Sequence, residues 1–171
     1  MDRAAIERSL LEDDGSCRDI NFSEAIPTTG AVAVLEVLAA SWTLVAGRDA
    51  EGEAVPAARL REFLMREQGA LKTTWTGPVG PRDLQAYFYW ARPDEVFCEL
   101  TFFPDALDAR QFSLDDFISI VARFVRAAQS CEYYVRFENA AWYHERDAAD
   151  SSIIFSHRTI PLPPVSNSQA S

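Results

Sequence analysis

Lysine is nearly absent from these 171 residues: Lys72 stands alone against fifteen arginines. That excludes a Walker A phosphate loop, which needs Gly-Lys-Ser/Thr. It also excludes the Asp…Glu-x-Lys nuclease signature, because Ala70 stands two residues before Lys72. The arginine bias itself reads as genome composition. Histidine is almost as scarce. His144 and His157 lie thirteen residues apart, without HxxxH or HExxH spacing, so no metal site is expected. The seven glycines are scattered, and the turn Gly77-Pro78-Val79-Gly80-Pro81 carries two prolines that remove the backbone donors a phosphate cradle requires. No Gly-x-Ser-x-Gly elbow occurs. Three cysteines (Cys17, Cys98 and Cys131) form no CxxC or Cys/His pattern, so reduced, inert thiols are expected. No cofactor is implied. The N-terminus has mixed charge and no apolar stretch of a secretory signal. In that setting the sequon Asn21-Phe22-Ser23 carries no weight. The longest apolar run, Gly30 to Gly47, is broken by Glu36, Ser41 and Thr43, too short and too polar to span a bilayer. A soluble, cytoplasmic chain without a membrane segment is the expectation.

What is present is ordinary in amount and unusual in sign. Hydrophobic residues make up 48% and charged residues 25%, the composition of one globular domain. Acidic residues outnumber basic ones 26 to 16, for a formal net charge of −10. Such a chain is a poor ligand for a phosphate backbone, so no direct nucleic-acid binding is expected. Its natural partner is cationic.

Periodicity predicts an α+β fold: a mainly antiparallel sheet of six to seven strands, with three helices packed mostly on one face. Residues 1–15 read as a loose lead-in or short helix, 16–162 as the domain, and 163–171 as a disordered polar tail. A first strand runs from Arg18 to Phe22. Pro27-Thr28-Thr29 opens a helix with a threonine N-cap, and Trp42 to Val45 is a strand. Pro56 starts a second helix, capped by Gly69, ahead of a strand at Leu71 to Thr76. Asp83 to Trp90 and Glu95 to Phe103 alternate clearly and form a hairpin. Ser113 caps a third helix whose Leu114, Phe117, Val121, Phe124 and Val125 keep helical spacing. Glu132 to Glu138 and Ser152 to Ile160 are the last strands, with His157 on a sheet face and Asn139 to Asp150 between them.

Alternation also sorts candidates for function. If Leu84, Ala86, Phe88 and Trp90 face the helices, then Gln85, Tyr87 and Tyr89 face away, with Phe97, Glu99, Thr101 and Phe103 beside them. Tyr134, Arg136 and Glu138 do the same further on. Aromatics mixed with charge are typical of interaction surfaces. Two blander readings stand beside this one: the chain covers that face itself, or Glu99, Arg136 and Glu138 form a structural charge network. Paired carboxylates near tyrosines also suit acid–base catalysis, which gives a small hydrolase or isomerase using Glu99 and Glu138 as the alternative function. A homodimer through the same face is a third.

Three motifs carry a resemblance. Cys17-Arg18-Asp19-Ile20-Asn21-Phe22, Glu99-Leu100-Thr101-Phe102-Phe103-Pro104, and Val135-Arg136-Phe137-Glu138-Asn139-Ala140-Ala141-Trp142-Tyr143 before Ile154-Phe155-Ser156-His157 are similar to a pattern in small bacterial α+β proteins. They resemble immunity proteins of polymorphic toxin systems, over roughly residues 16–162. The resemblance implies a non-enzymatic inhibitor that binds a cognate toxin domain. It is compatible with a nuclease toxin of the restriction-endonuclease type, whose cleft would be basic. Tyr87, Tyr89, Glu99, Arg136, Glu138 and Trp142 are the expected partner-binding residues, with aromatics as anchors and carboxylates steering or mimicking phosphate.

Overall fold

The computed structural model describes residues 2–22, 25–78, 80–138 and 152–162. Helix α1 (Arg3–Leu11) starts at Asp2, whose carboxylate accepts from the Ala4 and Ala5 amides at 3.0 and 3.3 Å, and it buries Ile6 and Leu10. Strand β1 (Arg18–Phe22) follows, then α2 (Thr28–Ser41), β2 (Thr43–Asp49), a 3-10 turn (Ala57–Arg59) running into α3 (Leu60–Leu64), and β3 (Gly69–Thr76). The hairpin β4 (Asp83–Trp90) and β5 (Phe97–Phe102) leads through α4 (Leu114–Ala127) to β6 (Tyr133–Phe137) and β7 (Ile153–Ser156). The seven strands make one sheet in the order β2-β3-β4-β5-β1-β6-β7, and every neighbouring pair is antiparallel. The fold is α+β, with four α-helices among the described residues rather than three. The additional one is α1, whose capping aspartate and two buried aliphatics make it part of the core.

All four helices meet the same side of the sheet. Phe117 of α4 stacks edge-on against Phe102 and Phe155, Phe63 of α3 meets Trp90, and Trp42 at the end of α2 stacks on Phe124. The registers place Ile20, Leu100, Ala86, Thr73 and Val135 in one row on that side. Burial of this apolar side is the main stabilising term.

Several local expectations need correction. The α2 N-cap is Pro27, whose ring carries no hydrogen-bond acceptor. Its place is taken by Asp94, whose carboxylate accepts from the Thr28 amide at 2.8 Å. Asp94 is held at φ 63 in the β4–β5 connection, a conformation aspartate tolerates better than most residues. The second helix is shorter than expected because Trp90 Nε1 donates to the Arg66 carbonyl at 2.9 Å, drawing the chain out of the helix. Gly69 is not a cap; it opens β3, and a Cβ there would lie 2.8 Å from the Trp90 ring. The last strand stops at Ser156, where the Thr159 and Ile160 amides turn back onto the Ser156 carbonyl. His157 therefore sits in a turn, its ring against Tyr134 at 5.4 Å.

Where α2 crosses α4, Gly30 allows backbone contact: a Cβ would lie 2.7 Å from the Ala128 carbonyl oxygen. The helices cannot part without disturbing the core below. Gly30→Ala is expected to cost about 1–3 kcal/mol, read as a lower urea midpoint at unchanged m-value. An unchanged midpoint would mean that this close approach does not fix the helix separation.

Candidate functional site

The side of the sheet facing away from the helices is built from the alternate positions of the same strands. Two rows cross it. One runs Arg48, Lys72, Tyr87, Glu99, Asn21, Tyr134, Ser156; the other runs Thr74, Gln85, Thr101, Asp19, Arg136, Ile153. Tyr89 and Phe97 stand opposite each other two positions along the hairpin. Phe103 continues the same alternation.

This face is divided. On β1, β6 and β7 it is closed: Asp19, Asn21, Tyr134, Arg136 and Ser156 are all buried, as is Thr101 on β5. On β3, β4 and β5 it is open. Tyr87, Gln85 and Glu99 are half-buried, Lys72 is exposed, and Tyr89 and Phe97 are 57% and 56% exposed. Large exposed hydrophobics among the described residues are Val45, Met65, Tyr89, Phe97 and Phe103, and three of these five belong to this one hairpin face. On the open half, Lys72 Nζ lies 4.9 Å above the Tyr87 ring, a cation–π contact, and Tyr87 Oη donates to Gln85 Oε1 at 2.7 Å.

Where the halves meet, acidic groups gather. Thr101 Oγ1 donates to Asp19 Oδ1 at 2.7 Å, Asn21 Nδ2 donates to Glu99 Oε2 at 2.6 Å, and the Cys17 amide lies 3.5 Å from Glu138 Oε2. Burial pushes the Asp19 carboxyl up to about 6; the nearby charges of Glu99 and Glu138 push the same way, while Thr101 and Arg136 pull it down. Burial beside Asp19 also raises the Cys17 thiol to about 12, so this thiol is inert at neutral pH.

The expected partner-binding residues thus fall in different places. Tyr87, Tyr89 and Glu99 share the open half, with Tyr87 directly opposite Glu99. Glu138 is exposed just beyond β6. Arg136 is only 6% exposed and acts on Asp19 from the closed half. Trp142 lies outside the described residues. Sequence reasoning left out Asp19, Asn21 and Phe97 as site residues, although alternation along Arg18–Phe22 already put Asp19 and Asn21 opposite the core residues Ile20 and Phe22.

One concavity of about 430 Å³ lies beside α4, lined among others by Leu107, Phe112, Phe117, Ile120 and Arg123, away from Asp19 and Glu99. Among the described residues, no His/Cys/Asp/Glu group is arranged to hold a metal ion. No described helix is long and apolar enough to cross a membrane.

No protein-family model and no curated protein matches the chain. Among solved structures, one chain of the complex between the toxic C-terminal tip of CdiA from Pseudomonas aeruginosa and its immune protein is similar, with a TM-score of 0.55 at 13% identity over 88% of this chain and 98% of that one. At that identity the likeness is one of fold. A Pseudomonas aeruginosa T6SS protein, PA0821, gives a TM-score of 0.40 at 14% identity over 71% of this chain, which spans 40% of the length of that protein.

Proposed function

We propose that this chain is an immunity protein, a non-catalytic module that binds a cognate toxin domain through the open half of the sheet and neutralises it. The observation that carries this reading is the uncovered Tyr89–Phe97 pair on the open half of the sheet face. Two large aromatics left in water on adjacent strands cost free energy in the isolated chain and give it back on burial in an interface. Half-buried Tyr87 and Glu99 and exposed Glu138 surround the pair with polar and acidic groups. The fold shared with a chain of a toxin–immune protein complex supports the same reading. A net charge of −10 favours a basic toxin surface, as on a nuclease that must hold nucleic-acid phosphate.

The double variant Tyr89→Ser/Phe97→Ser removes the anchors without touching the core. It is expected to weaken the complex with the toxin encoded beside this gene by about tenfold to a hundredfold, with unchanged thermal stability. Calorimetric titration of the purified partners measures it. Absence of any complex at low salt, or an affinity that the double variant leaves intact, would defeat the proposal. The acid–base enzyme reading has one observation in its favour, the raised Asp19 among carboxylates.

A further inference from the structure

Lys72, the chain's single lysine, stands directly opposite Arg48 of β2 in the strand register. Gly47, Leu71 and Thr73 beside them are buried toward the helices, so both cations project on the other side of the sheet, and both are exposed. Side chains so opposed on antiparallel strands stand about 4.5–5.5 Å apart at Cβ, and like charges in that relation are destabilising. In a chain with 26 acidic residues against 16 basic ones, a carboxylate beside each cation is the ordinary arrangement. Arg3, Arg18, Arg59, Arg61 and Arg92 each have one. Arg48 and Lys72 form no ion pair among the described residues. Arg48 Nη1 donates to the Gly52 carbonyl at 2.9 Å, and the Lys72 ammonium lies 4.9 Å from the centre of the Tyr87 ring. That ring contact is a second, independent observation: it holds the ammonium over the open half of the sheet, beside the strands that carry Tyr89 and Phe97. Protection of a sheet edge does not account for the pair, because it asks for charge on the edge strand β2 and not for a second cation on β3.

We propose that Arg48 and Lys72 receive a carboxylate of the partner, an Asp or Glu side chain seated between the guanidinium and the ammonium at the β2–β3 end of the interface. The inference rests on the reading of this chain as a toxin-binding protein, and it changes what the partner must present. Net charge alone calls for a basic contact face; this site requires an acidic residue within that face, next to the groups that cover Tyr89 and Phe97. The free donors of Arg48 and the ammonium of Lys72 reach one carboxylate from two strands, which gives a charge-assisted contact with a fixed direction. Long-range attraction brings the basic partner in, and the carboxylate sets its register on the sheet, because any other docking leaves two cations facing a basic surface.

The sign of the effect separates this site from steering by net charge. Removing a positive charge from a chain of net charge −10 strengthens its attraction to a basic partner wherever that charge sits. Lys72→Gln and Arg48→Gln are nonetheless each expected to weaken the complex with the toxin encoded beside this gene by about tenfold. Arg126→Gln, at an exposed position of α4 in the helix layer, should leave the affinity unchanged or slightly higher. Arg48→Glu is the sharpest variant. Opposite Lys72 it completes a cross-strand pair of unlike charges, so the free chain should melt at the same temperature or higher while the toxin affinity falls by about a hundredfold. Calorimetric titration gives the affinities and a thermal melt the stabilities. Affinities equal to or above that of the unmodified chain in the variants at 48 and 72 remove the carboxylate site and leave the immunity reading standing. A lower melting temperature with unchanged affinity assigns the two cations to the fold and equally overturns the site. An unmodified chain that forms no complex at low salt fells the immunity reading, and this site with it.

Discussion

Replacing Arg18 by methionine is expected to lower the unfolding free energy by about 3–5 kcal/mol, far more than an average strand substitution. Arg18 is the first residue of β1, yet its side chain is completely buried on the helix side. Its Nε donates to the Ser9 carbonyl at 2.8 Å and its Nη2 to the Glu12 carbonyl at 2.8 Å, at the C-terminal end of α1 where carbonyls lack helical partners. Its Nη1 meets the Ser16 carbonyl, Ser16 Oγ and Asp14 Oδ1 at 2.9, 2.8 and 3.1 Å. The guanidinium also lies 4.4 Å from the Phe137 ring centre. One planar group with five donors thus fastens α1 and the following turn to the sheet. Methionine fills much of the volume but leaves those acceptors without donors. In a chain of this length the loss corresponds to a melting temperature lower by roughly 10 °C. Arg18→Lys separates charge from geometry: a single ammonium keeps the charge but cannot span acceptors on both sides, so most of the loss should remain. A melting temperature unchanged in the methionine variant would show that α1 docks by Ile6 and Leu10 alone.

Asp19→Asn is expected to act in the opposite direction, stabilising the chain at neutral pH by about 1–3 kcal/mol. The carboxyl holds its proton to about pH 6 in the folded state against 3.8 in the unfolded chain. Between these values the folded state binds more protons than the unfolded one. Stability from this group is therefore complete below about pH 4 and is lost as pH rises through 6. The asparagine variant never carries the charge, and its carbonyl oxygen still accepts from Thr101 Oγ1. The two proteins should match near pH 4 and diverge by pH 7.5, as measured by urea unfolding at both. A wild-type stability that is flat across this interval, or an asparagine variant weaker at pH 7.5, would contradict the assignment. Asp14 works with the opposite sign in a lower window. Hydrogen bonds from Ser16 and Arg18 hold its carboxyl near 2, so its contribution fades as pH falls below about 4.

Much of this architecture was legible from residue order. Period-two alternation is a property of the extended backbone, so the β4–β5 hairpin and its two faces follow from Leu84, Ala86 and Phe88 interleaved with Gln85, Tyr87 and Tyr89. Ser113 and the apolar spacing behind it place α4 equally well, since helix capping and amphipathicity are local. The net charge needs no fold at all. Other features depend on residues distant in sequence. Asp94 caps α2 from 66 positions away, and Trp90 ends α3 by taking the Arg66 carbonyl 24 positions back.

The same distinction governs the candidate site. Sequence could put Tyr87, Tyr89, Glu99 and Arg136 on one face but could not tell which part of that face is covered. Only the strand order, with β1 inserted between β5 and β6, sets Asp19 and Asn21 beside Glu99 and Arg136, and it buries Asp19, Asn21 and Arg136 while Glu99 stays half-exposed. Alternation is written into each strand separately. Burial, and the charge repulsion that follows from it, arises only when strands from opposite ends of the chain are hydrogen-bonded side by side.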